Sequence, residues 1–280
     1  MPKFDTPEAI AAIIDMAGGH VRIQASDRTD TVVEVRPSDE AEAADVQAAE
    51  QTHVEYANGQ LLIRQPRNRI RSLFGRNPSI ELTVGLPSGS RIDAKAWGDV
   101  RSEGRIGESA FEIAAGSVRL DQTGRLKLRT AAGDVSVGRS AGPAEVTTSA
   151  GRIWIGEIDG TAVVKTSNGN ITIGEVTGDL RLNTANGDIT VDRALGSVGA
   201  KTAFGRVRIG EVVRGSVVLE SGFGELEIGV REGTGAWLDV SSQQGRVRSD
   251  LEASPGPGPG GETVEVRAHT RFGDIVIQRA

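Results

Sequence analysis

The sequence predicts a mainly β chain wound into a β-solenoid, a single-stranded stack resembling a parallel β-helix. Three observations predict it. Glycine recurs every 18 residues at Gly133, Gly151, Gly169, Gly187 and Gly205, and a second set, Gly142, Gly160, Gly178 and Gly196, falls half-way between. A fixed period of this kind is the signature of stacked repeats. Each half carries apolar residues two apart: GDVSV, GRIWI, GNITI, GDITV and GRVRI in one set, GPAEV, GTAVV, GDLRL and GSVGA in the other. Alternation by two is the period of a strand with one buried face. Finally, nine residues from one glycine to the next are too few to hold a crossover helix. The chain must instead turn at each glycine, where φ can be positive without a Cβ clash. Each coil then lies on the last at the strand spacing of roughly 4.8 Å.

The same register creates columns. A hydroxyl stands three residues before the glycine at Thr130, Thr148, Thr166, Thr184, Thr202, Ser221 and Thr270, and is expected to bond to neighbouring hydroxyls or backbone. The residue just before the glycine runs Ala132, Ala150, Asn168, Asn186, Phe204, Phe223 and Phe272, so Asn should stack on Asn and Phe on Phe. Arg206 and Arg208 should face Glu225 and Glu227 in the next coil. Arg139, Glu157, Glu175, Arg193 and Glu211 form a column of mixed sign, which reads as a solvated face. A calcium-binding nonapeptide roll needs Asp in nearly every repeat, whereas the residue after the glycine here is Asp, Arg, Asn, Asp and Arg in turn. No metal and no cofactor is expected.

Composition narrows the classes further. The 280 residues are 38% hydrophobic and only 4% aromatic, with 37 Gly, which suits thin coils filled by Val, Ile, Leu, Ala and Thr. The net charge of −6 argues against general nucleic-acid binding. With no cysteine, disulfides and thiolate chemistry are excluded. The opening MPKFDTPEAI lacks a basic region followed by an apolar run, and no stretch approaches the 18 or so apolar residues of a membrane span. The expectation is a soluble, cytoplasmic chain with no transmembrane segment.

In chain order, residues 1–88 are expected to form a small α+β cap and residues 89–280 the solenoid. Thr6-Pro7-Glu8 fits either a helix start or a strand turning at Gly18-Gly19, and the Gly-x-Val-x-Ile habit favours the strand. Thr31 to Arg36 alternates as a strand. Ala41 to Thr52 is rich in Ala, Glu and Gln and predicts a helix capped by Ser38 or Asp39. Val54-Glu55-Tyr56, Asn58-Gly59 and Leu61-Leu62-Ile63 predict a hairpin with a tight turn. Pro66 to Pro78 is dense in arginine, with Arg67, Arg69, Arg71 and Arg76 around Phe74. Ser79 to Leu86 is another strand. The Pro/Gly run at 252–261 is a loop inserted into the last coil, and the chain resumes at Thr263 to end on Gly-Asp-Ile-Val-Ile. Trp237 lies where apolar core is expected.

The segments MPKFDTPE, ASDRTDTVVEVRPSD, GEVTGDLRLNTANGDITVDRA and VEVRAHTRFGDIVI, with the coils near Lys95 to Gly104, resemble the bacterial β-strand-repeat family called "putative adhesin", in its actinobacterial form. The resemblance spans essentially the whole chain. It implies a β-solenoid of unknown function and brings no catalytic or binding residue with it.

Chemistry is thinly represented. His20, His53 and His269 are far apart and lack partners at ligand spacing. Asp99, Asp134, Glu157, Glu175, Asp188 and Glu211 supply carboxylates, without the long loops that wall the cleft of a polysaccharide-cleaving helix. The reading is a non-enzymatic scaffold whose partner is an unknown protein or a second copy, giving a homo-oligomer. The final coil, followed only by Gln278, Arg279 and Ala280, reads as an open end that invites pairing. The alternatives are a carbohydrate-binding or carbohydrate-modifying solenoid and a membrane-peripheral protein docking through the arginine loop. The candidate interaction residues are Arg67, Arg69, Arg71, Phe74, Arg76 and Trp154.

Overall fold

A computed structural model describes residues 2–66, 78–252 and 261–280. Met1–Val137 and Gly138–Ala280 form two compact units. Both are built from two mainly parallel sheets, with each coil contributing one strand to either sheet, and the fold is a β-solenoid.

In the second unit one sheet runs, in hydrogen-bonded order, Ile153–Ile158, Ile171–Val176, Ile189–Ala194, Val207–Val212, Leu226–Val230, Ile275–Arg279 and Val247–Ser249. The other runs Ala144–Ala150, Ala162–Lys165, Leu180–Asn186, Val198–Phe204, Gly215–Phe223, Thr263–Phe272 and Gly235–Gln244. The predicted register holds: Ile171 lies beside Ile189, and Leu180 beside Val198. Ile171, Ile173, Leu180 and Leu182 are fully buried, so residues two apart fill the interior between the sheets.

The corners explain the glycines. Gly169, Gly187, Gly205, Gly224 and Gly273 all have φ between 142° and 156°. A Cβ at Gly187 would overlap the carbonyl oxygen of Gly169, and the same collision recurs at Gly205 against Gly187. Glycine is therefore required twice over, by backbone conformation and by the close approach of the coil beneath. The hydroxyl column uses those carbonyls. Thr184 donates to Gly169 O at 3.3 Å, Thr202 to Gly187 O at 3.2 Å, Ser221 to Gly205 O and Thr270 to Gly224 O, both at 3.1 Å. The partners are backbone, not other hydroxyls. Thr166 Oγ1, buried in the same column, has no partner.

Coil order departs from chain order at the end of this unit. The C-terminal strands Thr263–Phe272 and Ile275–Arg279 sit between the coil of residues 215–230 and that of residues 235–249. The expectation that the final Gly-Asp-Ile-Val-Ile coil forms an open end is thus corrected: it is covered by residues 235–249, which form the outermost coil. Trp237 is corrected with it, being 59% exposed on that coil instead of in the core. The physical reason is relative stacking strength. Val264, Val266, Ala268, Ile275 and Ile277 give a complete apolar set, whereas Ala236, Leu238, Val240, Val247 and Ser249 offer less to bury on two sides.

The first unit shows the same threading. Gly19–Ser26 lies between Ile80–Pro87 and Val100–Arg105, and Ala11–Asp15 lies between Gln60–Arg64 and Arg91–Ala96, all parallel. The strand reading of Ala11–Asp15 is the one the structure shows. Gln60–Arg64 and Ile80–Pro87 then form the coil outside it. Lys3–Asp5 and Asp30–Pro37 add antiparallel strands to one sheet, and His53–Ala57 closes the other through a hairpin whose turn is Asn58 and Gly59, both at positive φ. The helix spans Ala43–Glu50 and its N-cap is Glu42, not Ser38 or Asp39. Asp39 Oδ1 instead accepts from the Ala41 N–H at 2.9 Å, holding the turn that precedes the helix. Asp45, buried on the helix, accepts from the Ser79 N–H at 2.8 Å and ties the helix to the strand that follows. Lys3 and Arg28 both reach Asp30, at 3.0 and 2.7 Å, and their hydrogen bonds, that of Arg28 first, hold its carboxyl at about 2 against an ordinary 3.8.

Two outcomes follow for stability. Gly187→Ala should cost about 3 kcal/mol or more, through backbone strain plus steric overlap, whereas Gly59→Ala, at positive φ but facing open space, should cost only about 1 kcal/mol. Chemical denaturation of the two variants separates the contributions, and equal losses would refute the close-approach argument. Because folded Asp30 has a lowered pKa, its stabilising contribution is present above pH 3.8 and lost as pH falls through about 2. Asp30→Asn should flatten the acid limb of the stability profile between those values.

Candidate functional site

The outward-facing positions of the second unit form columns, the first of them at its corner. Val198–Phe204 alternates buried and exposed until Thr202, after which Ala203 and Phe204 both face out as the chain leaves the interior. The same happens at Phe223 and Phe272. Direct register, Phe204 beside Phe223 and Phe223 beside Phe272, places the rings face to face. Their centroids are 5.0 and 4.6 Å apart and their planes within 5° and 1° of parallel. The rings are 55%, 45% and 40% exposed. Asn186 continues the column on one side, donating from Nδ2 to Asn168 Oδ1 at 2.9 Å, and Gln244 of the outermost coil lies beside Phe272.

This column is a ridge. On one flank stand Gly205, Gly224 and Gly273, and on the other Ala203, Gly222 and Arg271. Five of those six positions carry at most a methyl group, so the ring edges rise clear of the backbone. Beyond them lie ion pairs: Lys201 with Glu220 at 2.7 Å, and Arg206 with Glu225 and Arg208 with Glu227 at 3.3 Å each. The two Arg–Glu pairs are those the sequence predicts. The aromatic stacking is legible in the sequence as well, but the ridge is absent from the candidate residues named there. The recurring Phe-Gly dipeptide is its signal.

The mixed-charge column also forms. Arg139 reaches Glu157, and Arg193 reaches Glu175 on one side and Glu211 on the other, each at 3.4 Å. Its carboxylates are therefore engaged by guanidinium groups. Asp99 and Asp188 are engaged differently: Asp99 Oδ1 accepts from the Ser117 N–H, and Asp188 Oδ1 from the Arg206 N–H, each at 2.8 Å. Asn170, Asp179 and Asp274 do the same for Asp188, Ser197 and Arg246. An Asp or Asn after a corner thus satisfies a backbone donor of the adjoining coil, a role the sequence reading misses because it weighs these residues only as metal ligands or catalytic acids. Among the described residues no three His, Asp or Glu side chains gather as a metal site.

The remaining candidates are dispersed. Trp154 faces out, its indole folded over Gly156 of its own strand. Trp97 is exposed beside a corner. His20 lies 3.7 Å from Asp99, His53 3.2 Å from Glu55, and His269 2.9 Å from the Ser241 hydroxyl, so no two histidines meet. Arg67, Arg69, Arg71, Phe74 and Arg76 lie outside the described residues, as does most of the Pro/Gly loop. No helix among the described residues is long and apolar enough to cross a membrane.

The corner carboxylates generate a prediction. Asp188→Ala should cost about 1 kcal/mol by leaving the Arg206 N–H without its acceptor, while Asp188→Asn, which keeps Oδ1, should cost about a few tenths at most. Thermal melts of both variants decide whether hydrogen bonding or charge is responsible.

No curated protein matches the sequence. Three crystal structures match the chain along its length, at low identity and low structural overlap. A putative lipid binding protein from Parabacteroides distasonis is 9% identical, with 100% of this chain and 95% of that one covered and a TM-score of 0.41. A putative adhesin from the same organism is 14% identical over 98% and 95%, with a TM-score of 0.37. A putative adhesin from Bacteroides fragilis is 10% identical over 99% and 95%, with a TM-score of 0.35. Over residues 12–278 the sequence fits the profile of the Toastrack DUF4097 family, and on that match, spanning nearly the whole solenoid, the chain belongs to that family.

Proposed function

We propose that the chain is a non-enzymatic scaffold that engages a protein partner through the ridge of Phe204, Phe223 and Phe272. The exposed aromatic column is the observation that carries this reading. A contiguous exposed apolar strip is costly in water and is the kind of surface that partners cover. Stacking already orders the rings, so burying them loses little side-chain entropy. The flanking ion pairs supply a polar rim around an apolar centre, the usual anatomy of an interface. The bare flanks suit a partner groove closing over both sides of the ridge. A sugar ligand fits less well, because sugars stack on ring faces, and here both faces of Phe223 are covered by neighbouring rings while the outer faces of Phe204 and Phe272 lie toward Asn186 and Gln244.

The test is a photoreactive residue at Ala203, beside the ridge, in wild type and in the triple variant Phe204→Ser, Phe223→Ser, Phe272→Ser, each expressed in the native cell. The wild type should give a discrete crosslinked protein that the variant does not. The variant should remain folded, losing about 1–3 kcal/mol of stacking. An identical crosslinking pattern from both chains would rule the ridge out as the contact.

A further inference from the structure

The outermost coil of the second unit is open in two senses. Gly235–Gln244 and Val247–Ser249 each end their sheet, so among the described residues one row of backbone N–H and C=O groups on each has no strand beside it. The interior is open there too. Val266 and Ala268 are fully buried, but Leu238 and Val240, which continue their columns, are half-buried, and Val247 is 44% exposed where Ile275 is buried.

Edges of this kind are ordinarily guarded by brevity, charge, proline or a covering element. The first unit shows such guarding: a three-residue strand, Lys3–Asp5, ends one sheet, an antiparallel hairpin ends the other, and a helix packs beside them. Among the described residues Gly235–Gln244 has none of it. It is ten residues long, contains no proline, and carries one charge, Asp239.

We propose that this edge is a dimerisation surface on which Gly235–Gln244 pairs antiparallel with the same strand of a second copy, centred on Val240. The strand is complementary to itself in that register. Positions 236, 238, 240, 242 and 244 form its inward row and 237, 239, 241 and 243 its outward row, and pairing Val240 with Val240 keeps inward against inward over nine residues. Val240 then covers Val240, and Asp239 faces the Ser241 hydroxyl of the other copy. Slipping one chain so that the centre moves to Asp239 would set two carboxylates against each other. The area also suffices. A ten-residue strand spans roughly 33 Å, and two sheets roughly 10 Å apart with their side chains give an end face on the order of 650 Å² per copy, near the roughly 800 Å² per partner of a stable dimer. A two-fold pairing closes on itself, because each copy uses its Gly235–Gln244 edge on the other, so it stops at the dimer. No ridge phenylalanine takes part, so this surface and the ridge can fail independently.

The experiment uses the full chain, size-exclusion chromatography with light scattering, and sedimentation to obtain Kd. Asp239 and Ser241 are exposed, so both tolerate lysine; Ser241→Lys gives up only the exposed bond to His269. In the proposed register Ser241→Lys sets each introduced ammonium against Asp239 of the other copy, twice across the interface, and should tighten the dimer about three- to tenfold. Asp239→Lys with Ser241→Lys sets lysine against lysine twice and should give a monomer, with far-UV circular dichroism unchanged. Phe223→Ser should leave Kd unchanged. A wild type and a Ser241→Lys variant that both stay monomeric at the highest soluble concentration would overturn the proposal. So would a dimer that the double lysine variant does not weaken.

Discussion

The close approach of successive corners governs this structure. At Gly169, Gly187, Gly205, Gly224 and Gly273 a Cβ would fall on the carbonyl oxygen of the corner glycine in the adjoining coil. A coil can therefore stack there only with glycine at its own corner, and that condition sets the register of everything between. The buried hydroxyls then find the same carbonyls within reach, and the Asp or Asn after the corner meets a free backbone donor. At Gly169 and Gly187 one steric condition is thus reinforced by two sets of hydrogen bonds.

Function, in such a fold, is written in columns. Any outward position repeats at the strand spacing, so a residue type chosen twice in succession becomes a continuous stripe. Opposite charges at one position become the ladder of Arg139, Glu157, Glu175, Arg193 and Glu211, in which each carboxylate has a guanidinium within reach. Such exposed pairs contribute about 0–1 kcal/mol each, and their effect is to keep a broad parallel sheet soluble and specific in register. Phenylalanine at one position becomes a ridge, and its exposure makes it the part of the surface with most to gain from being covered.

The ends are handled by threading. In each unit the coil nearest the chain terminus is not the outermost one, because another coil lies outside it, a later one in the first unit and the preceding one in the second. A strand bonded on both sides frays less than one at an edge, so this threading holds residues 11–26 and 263–279 more firmly than the coils outside them. The outer coil, joined to the rest at both ends, takes the exposed position instead. In the first unit that coil is followed by antiparallel strands and a helix. In the second it is the last described strand of each sheet.

Much is legible in the residues themselves. Period, strand alternation, corner glycines, the hydroxyl column, the Asn and Phe stacks and the Arg206–Glu225 pairing all depend on local spacing, and local spacing is what a repeat makes visible. The Asn58-Gly59 turn is readable for the same reason. What the residues do not decide is which coil lies on which. Residues 235–249 and 263–279 carry versions of one pattern, and either fits the berth beside residues 215–230. The choice depends on how much apolar surface each loses from water with neighbours on both sides, a sum over contacts that exist only once the coils are assembled. Spacing alone therefore puts Trp237 in the core and the open edge on the wrong strand. The period determined the shape of a coil, and the tertiary structure decided the order of the stack.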